Sequence, residues 1–229
     1  MRIISWNCCD GFERKFGHLE RLAPDIAIVC EVRPECLRSA TLTTRSVWRG
    51  DAGQKGLAVI CYGDWRVVGM GPQIAEKWFI PLVLSNGIRT VQIVAAWLHP
   101  NPDYVSPTKT ALQTLKTFIA SGPTIIAGDF NQSVSMDKKA GKGRRFAEVL
   151  DELREMGLAS AWHAHTGEEH GQESSATLYR RWAESSKFHI DFVFYPPQAL
   201  TISSATLGTF DQYVAPRISD HAPLCVEFL

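Results

Sequence analysis

The apolar, strand-like segments of this sequence end or begin on amides, carboxylates and imidazoles. The residues at these places are Asn7, Glu31, His99, Asp129, Asn131, Asp191, Asp220 and His221. An unpaired carboxylate is costly to bury, so an apolar strand that finishes on one usually delivers it to a polar site. Several carboxylates at one place repel each other unless a cation gathers them. The pattern therefore favours a shared site that binds a cation.

Each residue also has an ordinary interpretation. A glutamate after a strand, such as Glu31, is usually exposed to solvent. Asp129 and Asn131 are common turn formers, and His99 precedes a proline in a loop-like stretch. Asp191 is harder to explain because it interrupts an otherwise apolar strand. The repetition at strand ends, rather than any one residue, favours a site.

The residue types suit hydrolysis of a phosphate ester. Asn7 and Glu31 offer the hard oxygen ligands that Mg²⁺ or Mn²⁺ prefers. Asp129 could align or deprotonate an attacking water molecule, with Asn131 helping to orient it. A hard cation and a water-directing carboxylate together indicate phosphoryl or phosphodiester hydrolysis.

The imidazole of His221 adds a cation to this set. Beside Asp220 and with Asp191 nearby, His221 would be held in one tautomer and kept protonated. A protonated imidazole is suited to stabilising a phosphate oxygen.

These side chains must be positioned by strands, because the intervening segments are apolar with strand-like patterns. Ten strands are predicted, at 2–7, 25–32, 56–62, 65–70, 79–85, 88–98, 124–128, 189–195, 199–207 and 222–228. Three helices are predicted, at 12–22, 106–120 and 144–157, with Ser106 as the N-cap of the second. Turn signals at 63–64 and 86–87 predict hairpins. Many hairpins and few helices predict an α/β fold of the α+β type, with two sheets packed face to face and helices outside.

The composition excludes some classes of protein. The 229 residues carry 24 basic and 24 acidic side chains, so no global positive field exists to hold a polyanion. This argues against a passive nucleic-acid coat but permits an enzyme with a local cationic groove. No apolar run reaches the roughly 20 residues of a membrane helix, and the sequence start lacks signal-peptide features. We expect a cytoplasmic protein without membrane contact, and no stable protein partner is evident.

The six cysteines form no CxxC pair, which favours reduced thiols over a zinc site built on cysteine.

Five short motifs follow one another in an order that resembles a known family. They are "SWN" (5–7), "CEV" (30–32), "GDFN" (128–131), "HIDFVF" (189–194) and "SDHAP" (219–223). The ordered set resembles the endonuclease/exonuclease/phosphatase superfamily, the deoxyribonuclease-I-like and exonuclease III-like enzymes. The resemblance spans residues 5 to 228. It implies one domain over 1–229, a four-layer sandwich of two mainly antiparallel sheets flanked by helices, with the site at one edge of the sheets.

The resemblance also implies a role for each matching residue. Asn7 and Glu31 look like the metal site, and Asp220 lies at its edge. Asp129 and Asn131 look like the pair that activates and orients water, and His99 falls where relatives contact the phosphate. Asp191 looks like the partner of His221, which would touch the scissile phosphate. The implied cofactor is Mg²⁺ or Mn²⁺. One departure is Cys9, at a position where many relatives carry a polar residue or an extra metal ligand. A thiolate is a soft ligand and a poor match to Mg²⁺. Either the metal rests on fewer protein ligands, or Cys9 is buried and this contact is absent.

Two basic segments are candidates for substrate binding. The first, 136–145, follows the GDFN turn and contributes Lys138, Lys139, Lys142, Arg144 and Arg145. It is either a flexible loop that grips a polyanion backbone or a solvated loop before a helix, and its position favours the former. The second contributes Arg180, Arg181 and Trp182, where the tryptophan either stacks on a base or packs internally.

Three functions are compatible with the sequence. The first is a divalent-metal-dependent nuclease acting on DNA, of an endonuclease or repair type, and the basic loop favours it. The second is a phosphatase or phosphodiesterase acting on a small phosphorylated molecule or lipid head group. The third, a non-catalytic binding module, is disfavoured because the full set of catalytic residue types is present.

Overall fold

Two six-stranded β-sheets packed face to face form the centre of the molecule. The computed structural model describes residues 1–229, except for the side chains of Ala40, Thr41 and Lys139. Sheet one has the strand order β13-β14-β1-β2-β4-β3, sheet two has the order β5-β6-β7-β8-β12-β9, and β10 and β11 form a small ribbon. The strands are β1 (Arg2–Asn7), β2 (Ile26–Val32), β3 (Ser46–Gly50), β4 (Gly56–Cys61), β5 (Arg66–Met70), β6 (Phe79–Ser85), β7 (Thr90–Trp97), β8 (Thr124–Asp129), β9 (Ala159–Ser160), β10 (Leu178–Tyr179), β11 (Lys187–Phe188), β12 (Asp191–Tyr195), β13 (Ile202–Leu207) and β14 (Leu224–Phe228).

Helices cover the outer face of each sheet. The α-helices are α1 (Phe12–Glu20), α2 (Ala40–Thr43), α3 (Val105–Ala120), α4 (Phe146–Glu155) and α5 (Ala161–Thr166). Shorter 3₁₀ turns span Pro34–Leu37, Val134–Lys139 and Arg180–Trp182, and a π-helical turn spans Phe210–Val214. In the described residues no helix is both long and apolar enough to cross a membrane.

Three apolar clusters separate the four layers. One lies between the sheets, a second lies between sheet two and helices α3 and α4, and a third lies between sheet one and α1. Successive residues of a strand point to opposite faces, so Ile3 enters the cluster between the sheets and Ile4 enters the cluster under α1. The four-layer α+β architecture predicted from the sequence is confirmed.

Each sheet contains a parallel pair of strands next to antiparallel neighbours. β1 pairs with β2 in parallel, and β7 pairs with β8 in parallel. Parallel strands end at the same edge of a sheet. The carboxyl ends of β1, β2, β7 and β8 therefore converge on one edge of the sandwich, which is where the catalytic candidates lie.

Several local predictions need correction. The turn at 63–64 does not form a hairpin, because β4 belongs to sheet one and β5 to sheet two. Ser106 is not the N-cap of α3. The helix begins at Val105, and Asp103 Oδ1 accepts hydrogen bonds from the backbone N–H groups of Val105 (2.9 Å) and Ser106 (2.7 Å). The hairpin at 86–87 is confirmed by the pairing of Ser85 with Thr90.

Candidate active site

Asn7 joins the ends of the two sheets. It is the last residue of β1, and its Nδ2 donates to Glu31 Oε1 at 3.1 Å and to Asp129 Oδ2 at 3.0 Å. Its Oδ1 accepts from the backbone N–H of Cys9 at 3.0 Å, which fixes the amide orientation. One side chain of sheet one thus holds a carboxylate from each sheet.

Asp129 is the last residue of β8 and is almost completely buried, with 1% of its surface exposed. Its Oδ1 accepts from the backbone N–H of Asn131 at 2.8 Å, and its Oδ2 accepts from Asn131 Nδ2 at 3.2 Å. Burial, and then the charge of Asp191, raise the pKa of Asp129 to about 7. A carboxylate with a pKa near neutrality is suited to accept a proton.

Asp191 stands directly opposite Asp129 in the pairing of β12 with β8. Its Oδ2 contacts His221 Nδ1 at 2.8 Å, and both side chains are buried. Burial by itself lowers the pKa of His221, but the charge and hydrogen bond of Asp191 outweigh it and raise the pKa to about 10. The imidazole is therefore protonated at neutral pH, with Nδ1 donating to Asp191.

Backbone hydrogen bonds lock this pair in place. Thr177 Oγ1 accepts from the N–H groups of Ile190 and Asp191, both at 3.0 Å, while its carbonyl accepts from Ala222 N–H at 2.7 Å. Ser219 Oγ accepts from His221 N–H at 3.0 Å and donates to the carbonyl of Asn7 at 2.7 Å. Sequence reasoning missed Thr177, which lies in a segment without a strong pattern.

Glu31 reaches the site because β2 is irregular there. Glu31 has φ 63°, and the pairing of β2 with β4 shifts register between Cys30 and Val32. A bulge of this kind redirects a side chain from its regular face. Glu31 Oε2 contacts Lys55 Nζ at 2.5 Å. Lys55 was not predicted, since a lone lysine in the polar loop before β4 carries no sequence signal.

Asp220 and Cys9 meet at the mouth of the site. Burial first, and then the charge and hydrogen bond of Asp220, raise the pKa of the Cys9 thiol to about 11. Cys9 is therefore a neutral thiol at neutral pH.

His99 adjoins the site but forms no hydrogen bond to the other candidates within the described residues. Its ring stacks on Trp78 with centroids 4.1 Å apart and meets Trp97 edge-on at 4.2 Å. Burial lowers the pKa of His99, while the charge of Glu31 opposes this. Its buried Nε2 has no protein partner in the described residues. The geometry leaves this nitrogen available for a polar ligand.

The donor set fits a hard divalent cation. Glu31 and Asp129 both contact Asn7, Asp191 stands opposite Asp129, and carboxylate oxygens of this kind suit Mg²⁺ or Mn²⁺. Asp191 Oδ1 is buried and has no partner among the described residues. Carboxylate oxygens of Asp129 and Asp191 lie within 4.8 Å of each other and of a ring nitrogen of His221. A cation would offset the repulsion between these carboxylates.

The first basic segment lies on the surface after β8. Lys138, Lys142, Arg144 and Arg145 are exposed, and Lys139 lies outside the described side chains. Arg144 contacts Asp103 at 3.7 Å. None of the described hydrogen bonds and ion pairs neutralises Lys138 or Lys142, so both charges are free to meet an anion.

The second basic segment borders the mouth of the site. Arg180 and Arg181 are exposed, while Trp182 is half-buried. The guanidinium of Arg217 lies 4.9 Å from the ring centre of Trp182. A cleft of about 390 Å³ is lined by Trp182, Arg217, Cys9, Arg14, Lys15, His18 and Ile218. Trp182 is therefore both packed and part of a basic cleft, and Arg14, Lys15 and Arg217 were missed because they are distant from the motifs in sequence.

Gly128, just before Asp129, has no room for a side chain. It has φ +146°, and an added Cβ would lie 1.7 Å from the carbonyl oxygen of Ala96. We expect Gly128→Ala to lower the free energy of unfolding by about 3 kcal/mol or more, because β8 must move away from β7. Urea denaturation checks this, with Gly141→Ala as control, since a Cβ there meets nothing within 4 Å. Equal stability of the two variants would contradict the expectation.

Comparison with known proteins agrees with the fold described above. The family model described as "Endonuclease/Exonuclease/phosphatase family" matches residues 4–221. A 3′ phosphatase from Neisseria bound to product DNA hairpin is similar in structure, with TM-score 0.72 and 16% identity over 100% of this chain and 99% of that chain. An AP endonuclease from Archaeoglobus fulgidus has TM-score 0.67 and 16% identity over 100% and 99% of the two chains. Truncated TDP2 from Caenorhabditis elegans has TM-score 0.69 and 16% identity over 100% and 97%.

No curated protein matches the chain in sequence. The family model nevertheless covers the segment that carries all eight catalytic and metal candidates. The chain belongs to the endonuclease/exonuclease/phosphatase family, whose members are phosphoester hydrolases.

Proposed function

We propose that this protein is a divalent-metal-dependent phosphodiesterase that cleaves DNA. The observation that carries the proposal is the juxtaposition, in one buried cluster, of a proton acceptor and a protonated imidazole. Asp129 has a pKa of about 7, and His221 has a pKa of about 10. Two groups with separated pKa values are suited to act together as base and electrostatic stabiliser.

The residues have distinct roles in the proposed reaction. Asp129 takes a proton from the attacking water molecule, and Asn131 holds its carboxylate in position through two hydrogen bonds. His221 places positive charge next to a phosphate oxygen that becomes more negative in the transition state. Asp191 keeps that imidazole protonated and oriented.

A divalent cation would be held by Glu31 and Asp220, with Asn7 beside it, and would supply positive charge to the phosphate. Asn7 hydrogen-bonds to both Glu31 and Asp129 and so fixes their relative positions. The unpartnered nitrogen of His99 would contact another phosphate oxygen.

Two surface features support a nucleic-acid substrate. The cleft at the mouth of the site combines the cations of Arg14, Lys15 and Arg217 with the indole of Trp182. Cations along a groove bind a phosphate backbone, and an aromatic ring stacks on bases. Lys138 and Lys142, in the exposed segment after β8, add two charges that no described ion pair neutralises. Among the similar structures, one is bound to a product DNA hairpin and another is an AP endonuclease.

The test is cleavage of DNA by the purified protein. Supercoiled plasmid and end-labelled single-stranded, double-stranded and abasic-site oligonucleotides are incubated with Mg²⁺, Mn²⁺ or EDTA, with Glu31→Ala as the inactive control. We expect metal-dependent cleavage that the control lacks. Release of phosphate from small phosphorylated molecules or lipid head groups, without cleavage of any DNA, would overturn the proposal and favour a small-molecule phosphatase.

The basic loop gives a separate prediction. We expect Lys138→Gln/Lys142→Gln to weaken binding of long DNA and to reduce the slope of log affinity against log salt by roughly 1 to 2 units, since each phosphate contact contributes about 0.9. The control is Lys116→Gln, on the exposed face of α3. Fluorescence anisotropy from 50 to 300 mM salt measures the slope. An unchanged slope would remove the loop from the binding surface.

A further inference from the structure

Three histidines and a glutamate that the proposed reaction does not use meet beside β12. His163 lies in α5, His170 and Glu173 lie in the following loop, and His189 lies two residues before Asp191. His163 Nε2 contacts Glu173 Oε1 at 3.1 Å, and these side chains are only 8% and 6% exposed. The rings of His163 and His170 stack with centroids 3.5 Å apart. Three imidazoles and a carboxylate are therefore packed together just beneath the protein surface.

The positions of the donor atoms suit one metal ion. Ligand atoms of His163, His170 and Glu173 all lie within 4.8 Å of one another. His163 Nδ1 contacts Ser160 Oγ at 2.7 Å, which orients the ring with Nε2 towards the cluster. An outer hydrogen bond of this kind is typical of metal-binding histidines because it fixes the tautomer and the ring direction.

Unsatisfied ring nitrogens are the second observation. His170 Nδ1 is buried without a partner, and neither nitrogen of His189 makes a hydrogen bond of regular geometry in the described residues. The backbone at Ser175 lies close enough to favour the protonated ring of His189, but burial dominates. His189 is 2% exposed. Buried polar atoms are almost always partnered, so these nitrogens point to a ligand absent from the protein chain itself.

Burial and hydrogen bonds set the charge states of His170, His189 and Glu173. Burial lowers the pKa of His170 to about 4, and likewise that of His189 to about 4. Burial by itself raises the pKa of Glu173, but hydrogen bonds from His163 and the backbone of Gly171 lower it to about 2. At neutral pH His170 and His189 are therefore neutral imidazoles, and Glu173 is an anionic carboxylate.

We propose that His163, His170 and Glu173 bind one Zn²⁺ ion, with His189 beside the site as a further nitrogen donor. Two imidazoles and one carboxylate form a donor set that zinc favours, whereas Mg²⁺ prefers oxygen ligands only. This site is distinct from the oxygen-rich site at Glu31, and it does not depend on the proposed function. The alternative is that the hydrogen bond between His163 and Glu173 only stabilises the fold and that the cluster binds no metal.

The position of the cluster gives the ion a structural role. The loop that contains His170 and Glu173 continues to Thr177, whose hydroxyl holds the backbone of Asp191. Zinc would tie this loop to α5 and so support the segment that positions the catalytic pair. His170 also borders two surface clefts of about 410 and 220 Å³, which give an ion a route to the cluster.

Metal binding by the full-length protein tests the proposal. Protein dialysed against EDTA is titrated with Zn²⁺ alone by calorimetry and with Co²⁺ alone by visible absorption. We expect one tight equivalent of Zn²⁺, a Co²⁺ spectrum of low coordination number, and a higher melting temperature with Zn²⁺. Glu173→Gln and His170→Ala should each weaken binding by about 100-fold or more and remove the melting shift.

Two controls separate this site from others. His165→Ala changes an exposed histidine of the same helix and should bind Zn²⁺ like the wild type. Glu31→Gln removes a proposed catalytic ligand and should also keep the tight equivalent, so loss of nuclease activity would leave this result untouched. Glu173→Gln preserves side-chain shape and serves if His170→Ala does not fold. No Zn²⁺ or Co²⁺ binding by the wild type, or equal binding by the wild type and Glu173→Gln, would overturn the proposal.

Discussion

Replacement of Asp129 by asparagine should reduce kcat on a cleavable DNA by about 10²- to 10⁴-fold, the range typical of a lost general base. The amide cannot accept a proton from water at neutral pH.

The replacement of Asp129 by asparagine should also raise the stability of the folded protein. The folded-state pKa of Asp129 is raised from 3.8 to about 7. Ionisation of this carboxyl therefore lowers the free energy of unfolding progressively as pH rises from about 4 to about 7, and the full loss of stability is present above about pH 7. An uncharged amide avoids this cost.

Two measurements on one variant therefore move in opposite directions. Single-turnover cleavage measures the loss of activity, and thermal melting at pH 8 measures the gain in stability. Asp64→Asn, in an exposed turn, is the matched control and should change neither. Wild-type activity in Asp129→Asn would contradict the assignment of the base. An unchanged or lower melting temperature would show that hydrogen bonds and nearby charges stabilise the ionised carboxylate of Asp129 more than its burial indicates.

The second large effect is expected at the pair formed by Asp191 and His221. The folded-state pKa of His221 is raised from 6.5 to about 10, so the folded protein binds more protons than the unfolded chain between these values. The stabilisation is fully present below about pH 6.5 and is lost as pH rises through about 10. It should amount to a few kcal/mol, on the scale of about 1.4 kcal/mol per pKa unit.

Asp191→Asn should remove both the alkaline loss of stability and most of the activity. Without the carboxylate, His221 becomes neutral near pH 7 and offers no charge to the phosphate, so kcat should fall by about 10²-fold or more. Urea denaturation from pH 6 to pH 10 gives the slope, and pH profiles of kcat give the activity. Asp211→Asn, which is exposed, is the control. A wild-type stability slope in Asp191→Asn would mean that His221 owes its pKa to other groups.

The sequence was sufficient to predict the sandwich and to select most of the residues that the structure brings together at the candidate site. Apolar strands that end on polar residues are a strong pattern, and the ordered motifs suggested the roles proposed above for Asp129 and His221. Local periodicity did not reveal β3, whose residues are all half-buried and show no alternation. Local periodicity also predicted a hairpin at 63–64 wrongly. A Gly-Asp turn signal is the same whether the following strand pairs with the preceding strand or joins the other sheet.

The unpredicted parts of the site depend on tertiary contacts. Lys55 meets Glu31 only because a bulge in β2 turns that glutamate toward the loop before β4. Thr177 reaches Asp191 across a segment with no periodic pattern. The histidine cluster joins residues 163, 170, 173 and 189, whose spacing matches no regular metal motif. Contacts of this kind follow from packing and have no local signature.

The pairing of β1 with β14 has a consequence for biosynthesis. The central strand of sheet one, which delivers Asn7, finds one of its two neighbours more than 200 residues later in the chain. Long-range pairings of this kind slow folding, because loop-closure entropy is lost before contacts compensate. On the ribosome, sheet one stays incomplete until β14 emerges, and His221 precedes that strand by three residues. The nascent chain therefore completes sheet one, and with it the arrangement around Asn7 and His221, only after β14 has been synthesised.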